Sequence, residues 1–157
     1  MEPVLSPTAL PPTLTSTSVP VQPSPTATDQ PAQPSQETKY DNKHSAFVYS
    51  AGWVEEVSPY AIDGSFARTS TNGASVTFQF TGQSFSLIYK GGPSYRKMDV
   101  YIDGVLAATI DERLDVSTYK ARWDYPGQLS PGAHTLKLVF VTASASTNGS
   151  MDAVLVR

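Results

Sequence analysis

The chain has no cysteine, which excludes disulfides, thiolate metal sites and cysteine nucleophiles together. It is poor in charge, at 16% Asp, Glu, Lys and Arg against the roughly 25% usual in globular proteins. No stretch approaches the ~18 apolar residues of a membrane span. Met1 opens directly into Pro-rich sequence, with no apolar signal-peptide segment. Residues 1–38 also lack Gly, Lys, Arg and every aromatic residue. They hold instead nine of the 13 prolines, seven Thr and five Ser. Such a segment buries too little apolar surface to offset its chain entropy.

Residues 1–38 are therefore expected to form a disordered Pro/Thr-rich stalk. Each proline fixes φ and biases the preceding residue toward extended geometry, which makes a semi-rigid spacer. The 119 residues from Lys39 to Arg157 hold all ten glycines and all 16 aromatics, enough for one folded domain. The tail's Glu2, Asp29 and Glu37 account for the net charge of −3. The domain is neutral, with no Lys/Arg cluster, and so is a poor binder of nucleic acid or anionic membrane.

Strand signals run through 39–157. Val76, Phe78 and Phe80 alternate with Ser75, Thr77 and Gln79, and Leu136, Leu138 and Phe140 share one face. Further strands are expected over 47–49, 53–57, 65–69, 84–89, 98–102, 105–110, 119–125, 133–142 and 151–156. Asp103-Gly104 is a strong hairpin signal, Thr81-Gly82-Gln83 reads as a second hairpin, and 111–117 has room for one helical turn. The fold class expected is all-β, a jelly-roll β-sandwich.

Catalysis finds little support. There is no Gly-x-Ser-x-Gly around a nucleophile, and His134 reads as a strand-end histidine. Glu55 and Glu56 are adjacent on a strand and face opposite ways, as are Asp111 and Glu112. Sugar recognition needs an aromatic ring under the apolar pyranose face and polar groups on the hydroxyls. The loop Gly91-Gly-Pro-Ser-Tyr-Arg-Lys97 nominates Tyr95, Arg96 and Lys97, with the cations also suited to a uronic or sialic carboxylate. Tyr95 either presents its ring or packs down on its own hairpin. Tyr60, after Ser58-Pro59, and Tyr125, before Pro126-Gly127, are the other loop tyrosines; Trp53 and Trp123 read as core.

An ordered set of segments spans most of 40–157. It comprises Tyr40-Asp41, Tyr49-Ser-Ala-Gly-Trp53, Gly73–Gly82, Gly92-Pro-Ser-Tyr95, Val100-Tyr-Ile-Asp-Gly104, Gly132-Ala-His-Thr-Leu136 and Asp152-Ala-Val-Leu-Val156. The set resembles the galactose-binding-domain-like jelly rolls, many of which are carbohydrate-binding modules of bacterial extracellular multidomain proteins. The resemblance implies a structural calcium where first and last strands meet, at Asp41 and Asp152, with Asn42 offering a carbonyl. It also implies a non-catalytic module that binds a glycan or cell-surface polysaccharide, is displayed extracellularly or at the cell surface, and adjoins neighbouring domains of a longer protein. The alternative is a structural or adhesive spacer, or a protein-binding sandwich, that holds no glycan. Asn148-Gly-Ser150 fits an N-glycosylation acceptor, relevant only to a eukaryotic source.

Overall fold

The computed structural model describes residues 36–142, 144 and 146–157. The stalk expected over 1–38 therefore lies almost wholly outside the described residues, and its last two belong to the domain instead: Thr38 pairs with Val156 in the first strand, and the Glu37 carboxylate pairs with Arg122 and Arg157.

Twelve strands follow one another: β1 (Thr38–Asp41), β2 (Phe47–Tyr49), β3 (Trp53–Val57), β4 (Ser65–Thr69), β5 (Ser75–Thr81), β6 (Phe85–Gly91), β7 (Lys97–Ile102), β8 (Val105–Asp111), β9 (Thr118–Asp124), β10 (Ala133–Val141), β11 (Gly149–Met151) and β12 (Ala153–Val156). A 3-10 turn, Ile62–Gly64, precedes β4. One layer is a five-stranded sheet of order β2-β5-β10-β7-β8. The other combines β1-β12-β6-β9 with β11-β4-β3. Asp152 alone separates β11 from β12, and the Ser150 hydroxyl bonds the backbone of Lys90 on β6, which joins the two parts. All ladders between the named strands are antiparallel. The architecture is the expected jelly-roll β-sandwich.

The period-two pattern creates the core. Val76, Phe78 and Phe80 on β5 face Leu138, Leu136 and His134 on β10, and Met98, Val100 and Ile102 on β7 extend the same buried surface. Across the sandwich, Phe85, Leu87 and Tyr89 of β6 close it with Val154 and Val156 of β12. Phe47 stacks on Phe78 with ring centres 4.6 Å apart, and Phe78 lies nearly parallel to Phe80. Trp53 and Trp123 are half-buried against the edge of this core. A satellite of Ile88, Ala153 and Leu155 fills the outer face of β6 and β12 beneath Ile62.

Two local expectations fail for identifiable reasons. β5 and β6 form no hairpin, because they belong to opposite layers. The connection between them crosses the sandwich, with Gln83 and Ser84 donating their amides to the Arg157 carbonyl. Alternation reports which face is buried and says nothing of the partner. Residues 112–117 form no helical turn. Their amides are already engaged: Glu112 N–H donates to the Arg96 carbonyl, Arg113 N–H to the Asp111 carboxylate and Leu114 N–H to the Gly92 carbonyl.

Candidate functional site

Antiparallel pairing gathers the connections β4–β5, β6–β7, β8–β9 and β10–β11 at one end of the sandwich. Cross-bonds hold them together. Arg96 N–H donates to the Asn148 carbonyl at 2.9 Å, Asn148 N–H to the Ser94 carbonyl at 2.9 Å, and Gly92 N–H to the Glu112 carbonyl at 3.1 Å. Thr142 N–H donates to Asn72 Oδ1 at 2.9 Å. The paired glycines serve this docking through their lack of a side chain. A Cβ at Gly91 would lie 2.8 Å from the Glu112 carbonyl oxygen and push into Leu114, and neither Gly91 nor Gly92 has positive φ. Behind the loops Glu112 is buried, its carboxyl accepting Ser150 N–H at 2.8 Å. Burial pushes its pKa well above the usual carboxyl range, against the pull of that amide.

Between these loops opens a cleft of about 540 Å³ whose walls include Asn72, Arg96, Lys97, Asp111, Arg113 and Thr142. Among the described residues, none of Arg96, Lys97 and Arg113 forms an ion pair. Arg96 is nonetheless held in place, its Nη1 donating to the Pro93 carbonyl at 2.9 Å and the Tyr95 carbonyl at 2.6 Å. Its Nε and Nη2 have no protein acceptor among the described residues. The lone acid in the cleft, Asp111, pairs in register with Lys97 and accepts the Arg113 backbone amide at 3.0 Å. Three cations facing one carboxylate make an anion-seeking surface.

Of the residues nominated from sequence, this end collects Arg96 and Lys97, while Tyr95 turns its ring inward and Tyr60 and Tyr125 lie elsewhere. Tyr95 is 5% exposed. Its N–H closes a turn onto the Gly92 carbonyl, and the ring lies inward with the Lys90 ammonium 5.8 Å from its centre. The ring anchors the loop and presents no face to a ligand. Tyr125 packs at the other end of the sandwich, stacked on Phe85 with centres 5.1 Å apart and its far edge against Gly127. Tyr60 is exposed as expected, but on the outer face of the β3–β4 layer, 5.5 Å from Tyr119. Lys120 carries a left-handed φ of 56°, which turns Tyr119 out of the inward phase of Ala121 and Trp123. Tyr119 thereby meets the Lys90 ammonium at 4.6 Å. Glu56 pairs with Arg68 and Lys90 on this same face, while Glu55 pairs with Lys43, so the adjacent glutamates do diverge.

The residues nominated for calcium do not fit an ion on their own. Asp152 is buried where β11 gives way to β12, and both its carboxylate oxygens lie 3.1 Å from the Ile62 amide. Asp41 sits one register step away, opposite Ala153. The expected Asn42 carbonyl instead accepts the Tyr49 hydroxyl at 2.7 Å. No three acidic or histidine side chains gather at metal distance among the described residues. Calcium needs six to eight oxygens. Burial pushes the Asp152 pKa up to about 6; the Ile62 amide and Lys120 oppose the shift, and Asp63 and Asp41 add to it.

His134 lies at the end remote from the cleft. Its Nδ1 is 2.7 Å from Asp103 Oδ2 and its Nε2 is 2.8 Å from the Ser130 carbonyl. Two acceptors require both ring nitrogens to carry protons, and the Ser130 carbonyl, then Asp103, raise its pKa. Among the described residues no side-chain hydroxyl bonds either histidine, so no nucleophile–base pair is formed.

Sequence reading overlooked Arg113, Asn72 and Thr142. Strand parity was the available signal, since alternate connections of an antiparallel sandwich share an end.

No protein-family model matches the chain. Over 106 residues it is 26% identical to the A type blood alpha-D-galactosamine galactosaminidase of Flavonifractor plautii, a match that takes in 65% of this chain and 9% of that protein. The chain thus spans only a small part of that relative's length. Among solved structures, a family 35 carbohydrate binding module from an environmental isolate superposes with a TM-score of 0.60 at 18% identity, covering 76% of this chain and 93% of that one. The CBM36-1 domain of a multidomain xylanase from the hindgut metagenome of Trinervitermes trinervoides gives 0.57 at 12% identity, covering 76% and 95%. These likenesses show the fold, a jelly-roll β-sandwich.

Proposed function

We propose that the chain is a non-catalytic carbohydrate-binding module that holds an acidic glycan in the loop-end cleft. The observation that carries this reading is the convergence of Arg96, Lys97 and Arg113, none ion-paired among the described residues, on one open cleft. Guanidinium groups and an ammonium make charge-assisted hydrogen bonds to carboxylate or sulfate. Asn72 and Thr142 at the rim are polar groups suited to neighbouring hydroxyls. The carbohydrate-binding modules that share this fold lend support. Histidines bonded to a backbone amide, a backbone carbonyl and Asp103 but to no hydroxyl among the described residues, and the diverging glutamates, speak for binding without chemistry. The Pro/Thr-rich composition of 1–38 suits a spacer that displays the module outside the cell.

The test is a glycan array on the full chain containing neutral, uronate, sialylated and sulfated glycans, followed by calorimetry on the hits. Acidic glycans are expected to bind, more weakly as salt is raised. Lys97→Ala and Arg113→Ala are each expected to weaken binding roughly tenfold with unchanged melting temperature. Retention of neutral glycans alone, or indifference to both substitutions, would overturn the reading.

A further inference from the structure

A second concavity lies along the edge of the sandwich, away from the loop-end cations. β2 pairs only with β5 and β3 only with β4, so each is the outermost strand of its layer. The gap between them is a cleft of about 220 Å³ with Tyr49 and Trp53 in its walls and Asn42, Lys43, Val54 and Glu55 around them. The volume is below the roughly 300–1,000 Å³ of pockets for drug-sized ligands, and suits a single ring.

The two aromatic rings meet edge to face, with centres 5.5 Å apart and planes at 61°. Their polar tips are already satisfied within the protein. Trp53 Nε1–H donates to the Ser75 carbonyl at 3.1 Å and the Tyr49 hydroxyl to the Asn42 carbonyl at 2.7 Å. The two residues remain partly exposed at the cleft, their rings held rigid by those bonds. At the mouth, Lys43 Nζ and Glu55 Oε1 stand 3.6 Å apart, each side chain about half exposed. This juxtaposes a donor that cannot accept with an acceptor that cannot donate. Two adjacent sugar hydroxyls ask for that combination, because one can accept from the ammonium while the other donates to the carboxylate.

Charge separates this cleft from the loop-end site. Burial raises the Tyr49 phenol most, and the carboxylates of Asp41 and Glu55 add to it, two negative groups here against the one ammonium of Lys43. An anionic ligand is disfavoured here, whereas a neutral one is not. We infer that the edge cleft between β2 and β3 is a second glycan-contact site, which takes a neutral pyranose with its C–H face on Trp53 and Tyr49 and adjacent hydroxyls on Lys43 and Glu55. The module then holds two different sugars of one chain, or two chains.

The inference is tested by amide NMR on the isotopically labelled full chain, titrated with methyl β-D-galactopyranoside and, separately, methyl β-D-glucopyranoside. Saturable shifts of roughly millimolar affinity are expected at Lys43, Ser50 and Trp53–Glu55. Lys43→Ala and Glu55→Ala remove only exposed rim groups and are each expected to weaken the interaction about fivefold. The double variant Lys97→Ala/Arg113→Ala should leave it unchanged. Absence of saturable shifts at these amides with both glycosides would overturn the inference. So would shifts that vanish in the double variant, or an affinity in both rim variants unchanged from that of the natural chain. The acidic-glycan reading stands or falls separately, because its ligands and its variants are different.

Discussion

At the scale of single residues, burial decides roles that residue type leaves open. Tyr95 and Tyr60 are both loop tyrosines, yet one anchors its loop at 5% exposure and the other stands 67% exposed. Asp152 is the clearest case with a pH consequence. Its pKa of about 6 in the folded chain lies above the ordinary aspartate value of 3.8, so between these limits the folded state holds more protons than the unfolded. This group's contribution to stability is therefore greatest below about pH 4, falls as pH rises to about 6 and is level beyond. Asp152→Asn keeps an oxygen for the Ile62 amide and removes the buried charge. The variant is expected to be more stable than the natural chain at pH 7, by roughly 1–3 kcal/mol, with the gain gone by pH 4. Urea unfolding at the two pH values measures this. A loss of stability at pH 7 that tracks added calcium would instead assign the carboxylate to an ion shared with Asp41.

At the scale of elements, the hairpin β7–β8 and the loop before β7 show two ways a turn is specified. Asp103 and Gly104 take φ of 50° and 83°, the paired left-handed geometry of a two-residue turn, which their side chains allow locally. Asp103 then bonds Thr135 N–H and His134, tying the turn to β10. The 91–97 loop owes its path to contacts with distant chain, since Gly91 must sit against Glu112 and Leu114. Gly91→Ala is expected to cost about 1–3 kcal/mol through overpacking, and to weaken acidic-glycan binding by displacing Arg96. Calorimetry of unfolding and of binding on the same variant checks both. An unchanged melting curve would show that the loop relaxes freely and that the cross-bonds do not set the cleft.

At the scale of the whole chain, 1–38 and the domain are different polymers by composition. Limited proteolysis is expected to trim this segment as far as Ser35, short of Glu37 and β1, while the melting temperature of the remainder stays the same. A clear fall after trimming would mean that the segment packs on the sandwich and is no spacer. The two clefts differ in charge as well as place, so ionic strength is expected to act on the loop-end site and to spare the edge site.

Composition and alternation alone determined the all-β class, most strand positions, the inward sets of β5 and β10, and the Asp103-Gly104 turn. Each follows from neighbours in sequence: a two-residue period, a left-handed turn pair, or runs of proline. Which layer β6 joins, where the Tyr95 ring goes, and which cations share a cleft were decided only by the tertiary structure. Arg96, Lys97 and Arg113 meet because β7 and β8 run antiparallel and bring 97 opposite 111. Tyr95 is buried because its loop docks on Lys90 of β6, on Glu112 just after β8 and on Asn148 just before β11. Pairing and burial of this kind depend on contacts between segments far apart in the chain, and local pattern carries no record of them.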